Sequence, residues 1–297
     1  MTDKLPASTL RLGLPSGSMQ QSTIDLFDRA GYKVSVDGRS VFPRIDDEKI
    51  SAVLFRAQEI SRYVVDGIID CGLTGHDWIV ENGSEHDVVE ICELTYSRAS
   101  SSPARWVLAV PEESPVRRPE DLHGAIVATE LVNVTRKYFA AKGVRVNVEF
   151  SWGTTEIKAR LLDAIVDLTE TGSSIRANNL RVLDTLLTST IRFVANKAAW
   201  AVPWKREKME NIAMLLRGAI EARAKVGLKM NVPEDRLQEV LGFLPSEKSP
   251  TVSRLADPAW VAVEVILEDK QERELIPALK RAGATGIITY PLNKVIP

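Results

Sequence analysis

The residues able to do chemistry are densest in one short stretch. There, Asp167, Thr169, Glu170, Thr171, Gly172, Ser173 and Ser174 follow and overlap an apolar run at 164–168. The run reads as a buried parallel strand, and the residues after it read as a helix. Gly172 permits a sharp turn and close approach of the backbone to a ligand. Ser173 and Ser174 suit a helix N-cap, so free N–H groups of the helix face the loop. Such a turn can cradle a phosphate. Each hydrogen bond to a charged oxygen contributes roughly 1.5–3 kcal/mol, and a few of them hold a monophosphate without a lysine. Strand–glycine–serine–helix turns also occur without any ligand, and the turn alone leaves both readings open. Asp167 and Glu170 favour the first: beside a phosphate, carboxylates repel it unless a cation or a sugar hydroxyl intervenes. A magnesium-bound sugar phosphate satisfies both conditions.

The elements that would position this stretch read as two α/β lobes. Strands are expected at 10–14, 32–36, 51–55 and 88–94, with helices between them, one closed by Gly31 and one at 59–65. Arg56 directly follows a strand, where α/β folds place ligand contacts. The segment from Asp66 to Asp77 echoes the opening stretch: Asp66, Ile68, Asp70, Thr74 and Gly75 match Asp163, Ile165, Asp167, Thr171 and Gly172 at one constant offset. A looser echo relates Phe27, Gly31, Val34 and Val36 to Phe139, Gly143, Val146 and Val148. Two related lobes follow, each strand–helix–strand–helix–strand. The second has strands at 105–110 and 125–129, a helix start near Thr135 and Arg136, and a strand leading to Gly153. The polar run at 96–103 reads as a crossing between lobes, with a return strand at 191–195 and an amphipathic helix at 207–224. The remainder reads as strands at 226–232, 250–255, 260–267 and 286–290 with helices at 233–241 and 270–282. That βαββαβ order is the ferredoxin-like unit. The expected division is 1–102 with 188–206 as the first lobe, 103–187 as the second, and 207–297 as a terminal domain.

Composition bounds the function classes. A chain of 297 residues, 44% hydrophobic and 26% charged, is that of a globular protein with two or three domains. A formal net charge of −2 without a basic block argues against nucleic acid as a partner. No apolar run is long enough to span a bilayer, and the first residues carry no apolar signal region. Cys71 and Cys92 make no disulfide framework, so a cytoplasmic protein with reduced thiols is expected. His76, His86 and His123 form no metal-binding pattern. Any metal should be a hard, oxygen-bound ion brought by the substrate.

Taken together and in order, five groups of residues resemble the long form of the ATP phosphoribosyltransferase family. They are Leu12, Gly13, Leu14 and Pro15 with Gly17; Asp70, Gly72, Thr74, Gly75 and Asp77; Thr135, Arg136, Tyr138 and Phe139; Asp163 and Asp167 with Thr171, Gly172, Asn178 and Leu180; and Ser249, Pro250, Thr251 and Ser253. The resemblance implies two periplasmic-binding-protein-like lobes around a cleft, plus a C-terminal ferredoxin-like regulatory domain. It implies a Mg²⁺-dependent reaction in which N1 of ATP displaces pyrophosphate from phosphoribosyl pyrophosphate, opening histidine biosynthesis under feedback by histidine. On that resemblance Asp167, Glu170 and Arg56 are the catalytic candidates, and magnesium is expected through the substrate, with Asp167 and Glu170 as possible ligands. Thr169, Thr171, Gly172, Ser173 and Ser174 form the donor loop. Arg11, Gly17, Gly72, Thr74, Gly75, Asp77, Thr135 and Arg136 line the facing wall and nucleotide side. Asn231, Ser249, Thr251 and Gly286 form a histidine site. The family often carries a lysine before the first-turn glycine, where this chain has Ser16 and Gly17, so pyrophosphate contacts fall to Arg56, Arg11 or Arg136. Asn231 stands where the family has an acid. The resemblance also suggests dimers that assemble into hexamers. Two rivals share much of this pattern: a two-lobed binding protein without catalysis, and a phosphoribosyltransferase acting on another base.

Overall fold

The computed structural model describes residues 9–38, 40–96, 103–244 and 250–296. The chain divides into two compact units, Met1–Ala213 and Met214–Pro297.

The first unit begins with β1 (Leu10–Pro15) and α1 (Gln20–Ala30). A two-stranded ribbon follows, β2 (Val34–Ser35) with β3 (Arg44–Ile45). Next come β4 (Ile50–Phe55), α2 (Ala57–Val65), β5 (Cys71–Gly75), α3 (His76–Glu81) and β6 (Val88–Leu94). The chain then enters the second lobe through β7 (Ala104–Pro111), β8 (Ile126–Thr129), α4 (Val132–Ala141) and β9 (Asn147–Phe150). It continues through α5 (Thr155–Lys158), β10 (Ala164–Thr169), α6 (Ser173–Ala177) and β11 (Leu180–Ser189). It returns to the first lobe through β12 (Ile191–Asn196) and α7 (Lys197–Trp200), and the long helix α8 (Pro203–Glu221) then runs from the first unit into the second.

The two five-stranded sheets have one topology. The first runs β4-β1-β5-β12-β6 and the second β9-β8-β10-β7-β11. In each, the first three strands are parallel and the fourth, β12 or β7, is antiparallel to both its neighbours. This is the two-lobed, periplasmic-binding-protein-like layout, and it supports the reading of two related lobes. The constant-offset echo, however, aligns helix starts rather than strands. It places His76 on Ser173, the first residues of α3 and α6, but β5 runs straight into its helix while Glu170, Thr171 and Gly172 intervene after β10.

Both faces of the second sheet are covered. Trp106, Leu108 and Val110 of β7 join one apolar cluster with Val127, Val166 and Phe139, while Val107 and Ala109 join another with Ile165 and Ile175. Period-two alternation on a strand buried on both sides produces this split. Burying each such side chain contributes about 1.5–3 kcal/mol. In the first sheet Gly72 is needed for close packing, because a Cβ there would stand 2.6 Å from Cγ2 of Ile60. Asp70 is buried just ahead of β5 and pairs with Arg11 at 2.8 Å and with Lys205 of α8 at 2.7 Å. Burial alone would raise its carboxyl, but the Arg11 and Lys205 hydrogen bonds outweigh that and hold it below the usual carboxylate range.

Several expectations need correction. The strand expected at 32–36 is only the two residues of β2. The apolar run ending in Leu168 is parallel to β8 but antiparallel to β7, so it is not a purely parallel strand. The N-cap of α6 is Gly172, with φ of 74°, and neither Ser173 nor Ser174 occupies it. Helix α3 and the ten-residue β11 were not expected at all.

The second unit comprises β13 (Lys225–Pro233), α9 (Leu237–Phe243), β14 (Thr251–Arg254), β15 (Trp260–Glu268), α10 (Glu272–Arg281) and β16 (Thr285–Pro291). The sheet is antiparallel in the order β14-β15-β13-β16. The expected βαββαβ sequence of elements is present. One face carries Leu228, Met230, Val232, Val261, Val263 and Val265, packed with Val240 and Leu279 of the helices.

Candidate active site

A cavity of about 320 Å³ opens at the carboxyl ends of the strands in the first unit. The first lobe contributes Ser16, Arg56, Gln58, Gly75, Asp77 and Trp78, and the second Trp106, Glu130, Asp167, Leu168 and Glu170. Among the described lining residues, four carboxylates face one cation, Arg56.

The β10–α6 turn is shaped by its own side chains. The buried Thr169 hydroxyl accepts the Gly172 N–H at 2.9 Å, and the Thr171 hydroxyl donates to Ser173 Oγ at 3.0 Å. The positive φ of Gly172 is required by this turn. A Cβ on Gly172 would stand 2.8 Å from Nη1 of Arg176, so an arginine lies against the turn. The reading of the sequence passed over Arg176; its place one helical turn after Gly172 was the available signal. Asp167, within β10, has its carboxyl pushed up to about 7, first by burial and then by the charges of Glu156 and Glu130.

Arg56 occupies the N-cap position of α2 in extended conformation. Gly17 does not line the cavity but adjoins this arginine, for a Cβ there would lie 3.2 Å from Arg56 Nη1. Gly75 lines the wall and leaves room for the Asp77 side chain. The Asp77 carboxylate is buried and fully engaged. It accepts Trp106 Nε1 at 2.7 Å, Ser189 Oγ at 2.9 Å and the Trp78 N–H at 3.0 Å. Burial raises its carboxyl despite these bonds. Trp106 belongs to the second lobe, so Asp77 ties α3 across to it. Glu81 at the other end of α3 does the same, accepting the Asn133 and Val134 N–H groups of α4 at 2.9 Å each.

Other expected wall residues lie elsewhere. The Arg11 guanidinium is held by Asp70 and by the Ile68 carbonyl at the amino end of β1, opposite the end that meets the cavity. Gly72 is packed beneath Ile60, and the buried Thr74 hydroxyl donates to the Ala57 carbonyl at 2.7 Å. Thr135 and Arg136 do not open a helix. Helix α4 starts at Val132, its first amides are taken by Glu81, Thr135 is fully buried and Arg136 is exposed on the helix surface. Neither residue lines the cavity.

In the second unit Asn231, Thr251 and Gly286 are all exposed. Asn231 is opposite Ala262, and Ala262 is opposite Ser253. Thr251 is opposite Glu264, and Glu264 is opposite Lys229. Paired residues share a sheet face, so Asn231 and Thr251 stand on the face away from the apolar cluster. A Cβ on Gly286 would lie 3.6 Å from Asn231 Nδ2. Ser249 lies outside the described residues.

Fold and cavity together define a two-lobed α/β protein with a small-molecule cleft at the ends of its parallel strands. Residues 56–218 match the family model HisG, ATP phosphoribosyltransferase, and residues 222–294 match the HisG C-terminal domain. The chain is 57% identical over 290 residues to an ATP phosphoribosyltransferase of Chlorobaculum parvum, covering 97% of this chain and 98% of that one. It is 56% identical over 298 residues to one from Thermodesulfovibrio yellowstonii, covering 100% of both. Among solved structures, an ATP phosphoribosyl transferase (HisG:HisZ) complex from Thermotoga maritima matches in fold with a TM-score of 0.60 at 24% identity. That match covers 70% of this chain and 99% of the other. The chain belongs to the ATP phosphoribosyltransferase family, in its long form with a C-terminal regulatory domain. Its activity is the first step of histidine biosynthesis. No helix among the described residues is long and apolar enough to cross a membrane.

Proposed function

We infer that the two lobes, 1–102 with 188–206 and 103–187, bring ATP and phosphoribosyl pyrophosphate together in the cavity at their strand ends. The observation that carries this reading is the Gly172 turn, which stands between the cavity-lining Asp167 and Glu170 and the helix α6. The donor's 5-phosphate takes the N–H and hydroxyl groups of the 171–174 turn, with Arg176 beside them. Asp167 and Glu170 accept hydrogen bonds from the ribose hydroxyls. Arg56 faces the pyrophosphate.

Magnesium suits this site as part of the substrate. Among the described residues no group of three or more His, Cys, Asp or Glu is arranged to hold a metal ion. A small hard cation bound by pyrophosphate oxygens needs only one or two protein carboxylates, and Asp167 and Glu170 line the cavity. Bound there, the ion neutralises the leaving group's charge. The protein's own part is orientation: it holds the purine in line with the ribose carbon, converting a two-body encounter into a one-body step. Arg56 stabilises the charge that develops on pyrophosphate.

Free histidine, bound near Asn231, Thr251 and Gly286, is the expected inhibitor. The protein is read as cytoplasmic and as a homo-oligomer, dimeric and hexameric. The direct test is incubation with ATP, magnesium and phosphoribosyl pyrophosphate, following pyrophosphate release and a new ultraviolet-absorbing nucleotide. A product with another base but none with ATP refutes the assignment.

A further inference from the structure

Of the carboxylates that line the cavity, Asp77 is taken up by Trp106 and Ser189, and Asp167 and Glu170 are assigned to the donor sugar. Glu130 has no part in that assignment. It directly follows Thr129, the last residue of β8, and Thr129 is in register with Val166, the residue before Asp167. Glu130, just past the end of β8, therefore lies beside Asp167 of the neighbouring parallel strand β10, near enough for the Glu130 charge to act on Asp167. The Gln58 side chain of α2 and the Gly153 backbone N–H stand near the Glu130 carboxylate and favour its charged form. A carboxylate offers about four lone-pair directions, so even with both neighbours engaged acceptor capacity remains in this group, which lines the cavity.

The reaction makes a particular demand on such a group. The lone pair of adenine N1 forms the bond to C1′ as the C1′–O bond breaks, and the departing electron pair leaves on pyrophosphate. The purine thereby gains a positive charge shared between N1 and its exocyclic N6 amino group. It becomes neutral again by giving up one N6 proton. A carboxylate against N6–H stabilises the developing charge and receives that proton, which then passes to solvent.

We propose that Glu130 is this catalytic residue: it accepts the N6–H of bound ATP, stabilises the charge on the purine and takes the N6 proton. The proposal rests on the placement of the donor sugar at Asp167 given above. Burial, with the Asp77 charge adding to it, raises the Glu130 carboxyl above its ordinary range, which suits a proton acceptor.

The test compares wild type and Glu130→Gln with two acceptors, ATP and a purine ribonucleoside triphosphate carrying hydrogen in place of the 6-amino group. Glutamine keeps the shape and one oxygen acceptor. The expected result is a fall in kcat with ATP of about 100-fold in Glu130→Gln, with no difference between the two proteins on the 6-hydrogen acceptor. Calorimetric binding gives the same cycle without turnover: Glu130→Gln weakens ATP roughly tenfold and leaves the 6-hydrogen nucleotide unchanged. Equal losses on both nucleotides, or an unchanged rate with ATP, overturn the proposal. So does a parallel loss of phosphoribosyl pyrophosphate affinity in Glu130→Gln, which would assign the residue to the donor. Undiminished donor affinity in Asp167→Asn is a separate failure, of the donor placement itself.

Discussion

The indole nitrogen of Trp106 donates to Oδ2 of Asp77 at 2.7 Å, joining a strand of the second lobe to a helix of the first inside the cavity wall. Trp78, the next residue on that helix, stacks edge-on against the same indole with ring centres 6.2 Å apart. Asp77→Asn keeps one oxygen but turns the other into an NH₂ donor, so either the Trp106 indole or the Trp78 N–H is left without its acceptor. Loss of the buried bond costs about 1–3 kcal/mol, so the expected outcome is a clearly lower melting temperature in a thermal scan. A variant with wild-type melting and a raised KM would instead mean that Asp77 contacts substrate.

Asp167 has a folded-state carboxyl near 7, well above the ordinary carboxylate value of 3.8. A raised folded value favours the folded state fully below the unfolded value, and that contribution is lost as pH rises through about 7. Asp167→Asn removes the penalty, so the variant should melt higher than wild type at pH 8, with the difference shrinking toward pH 5. Melting curves of the ligand-free protein at both values decide this; the reverse order contradicts it. The same variant should lose donor affinity.

Gly172→Val should weaken phosphoribosyl pyrophosphate binding at least tenfold. A β-branched residue is strained at a φ of 74°, and its Cβ would crowd the Arg176 guanidinium. Binding calorimetry with the donor measures the loss, and melting temperature monitors the strain. Near-normal donor affinity would place the phosphate elsewhere.

Asn231→Asp should sharpen inhibition by histidine. An exposed carboxylate in place of the amide offers the amino acid's ammonium a charge-assisted partner. The concentration for half-inhibition should fall severalfold at fixed ATP and donor. An unchanged curve would remove Asn231 from the histidine site.

How legible these features were depends on how local their causes are. Strand β6 was expected at the bounds observed, and β15 shows the alternation of buried Val261, Val263, Val265 and Leu267 that makes a one-sided strand readable. Strand β11 escaped because its register shifts twice, between Val182 and Asp184 and between Thr185 and Leu187, which destroys the period of two. Helix α3 is six residues long and its N-cap is Gly75, so neither periodicity nor a capping hydroxyl marks it. The Gly172 turn was visible because its glycine and hydroxyls lie in one run. Glu81, Trp106 and Glu130 were not, because each takes its meaning from a partner that only the tertiary fold brings near. Arg11 misled for the same reason: its true partner, Asp70, is 59 residues away.

The two sheets also differ in when their strands become available. The second is built from one continuous stretch, β7 to β11, whereas the first waits for β12, the strand that bonds both β5 and β6. On a ribosome, the amino-terminal half therefore emerges with an open sheet edge, and β6 has no partner strand until residue 196 has been made. The later lobe can close first and present its finished surface to the earlier one. Chaperone dependence and premature aggregation should accordingly track truncations that end before β12, more than those that end after it.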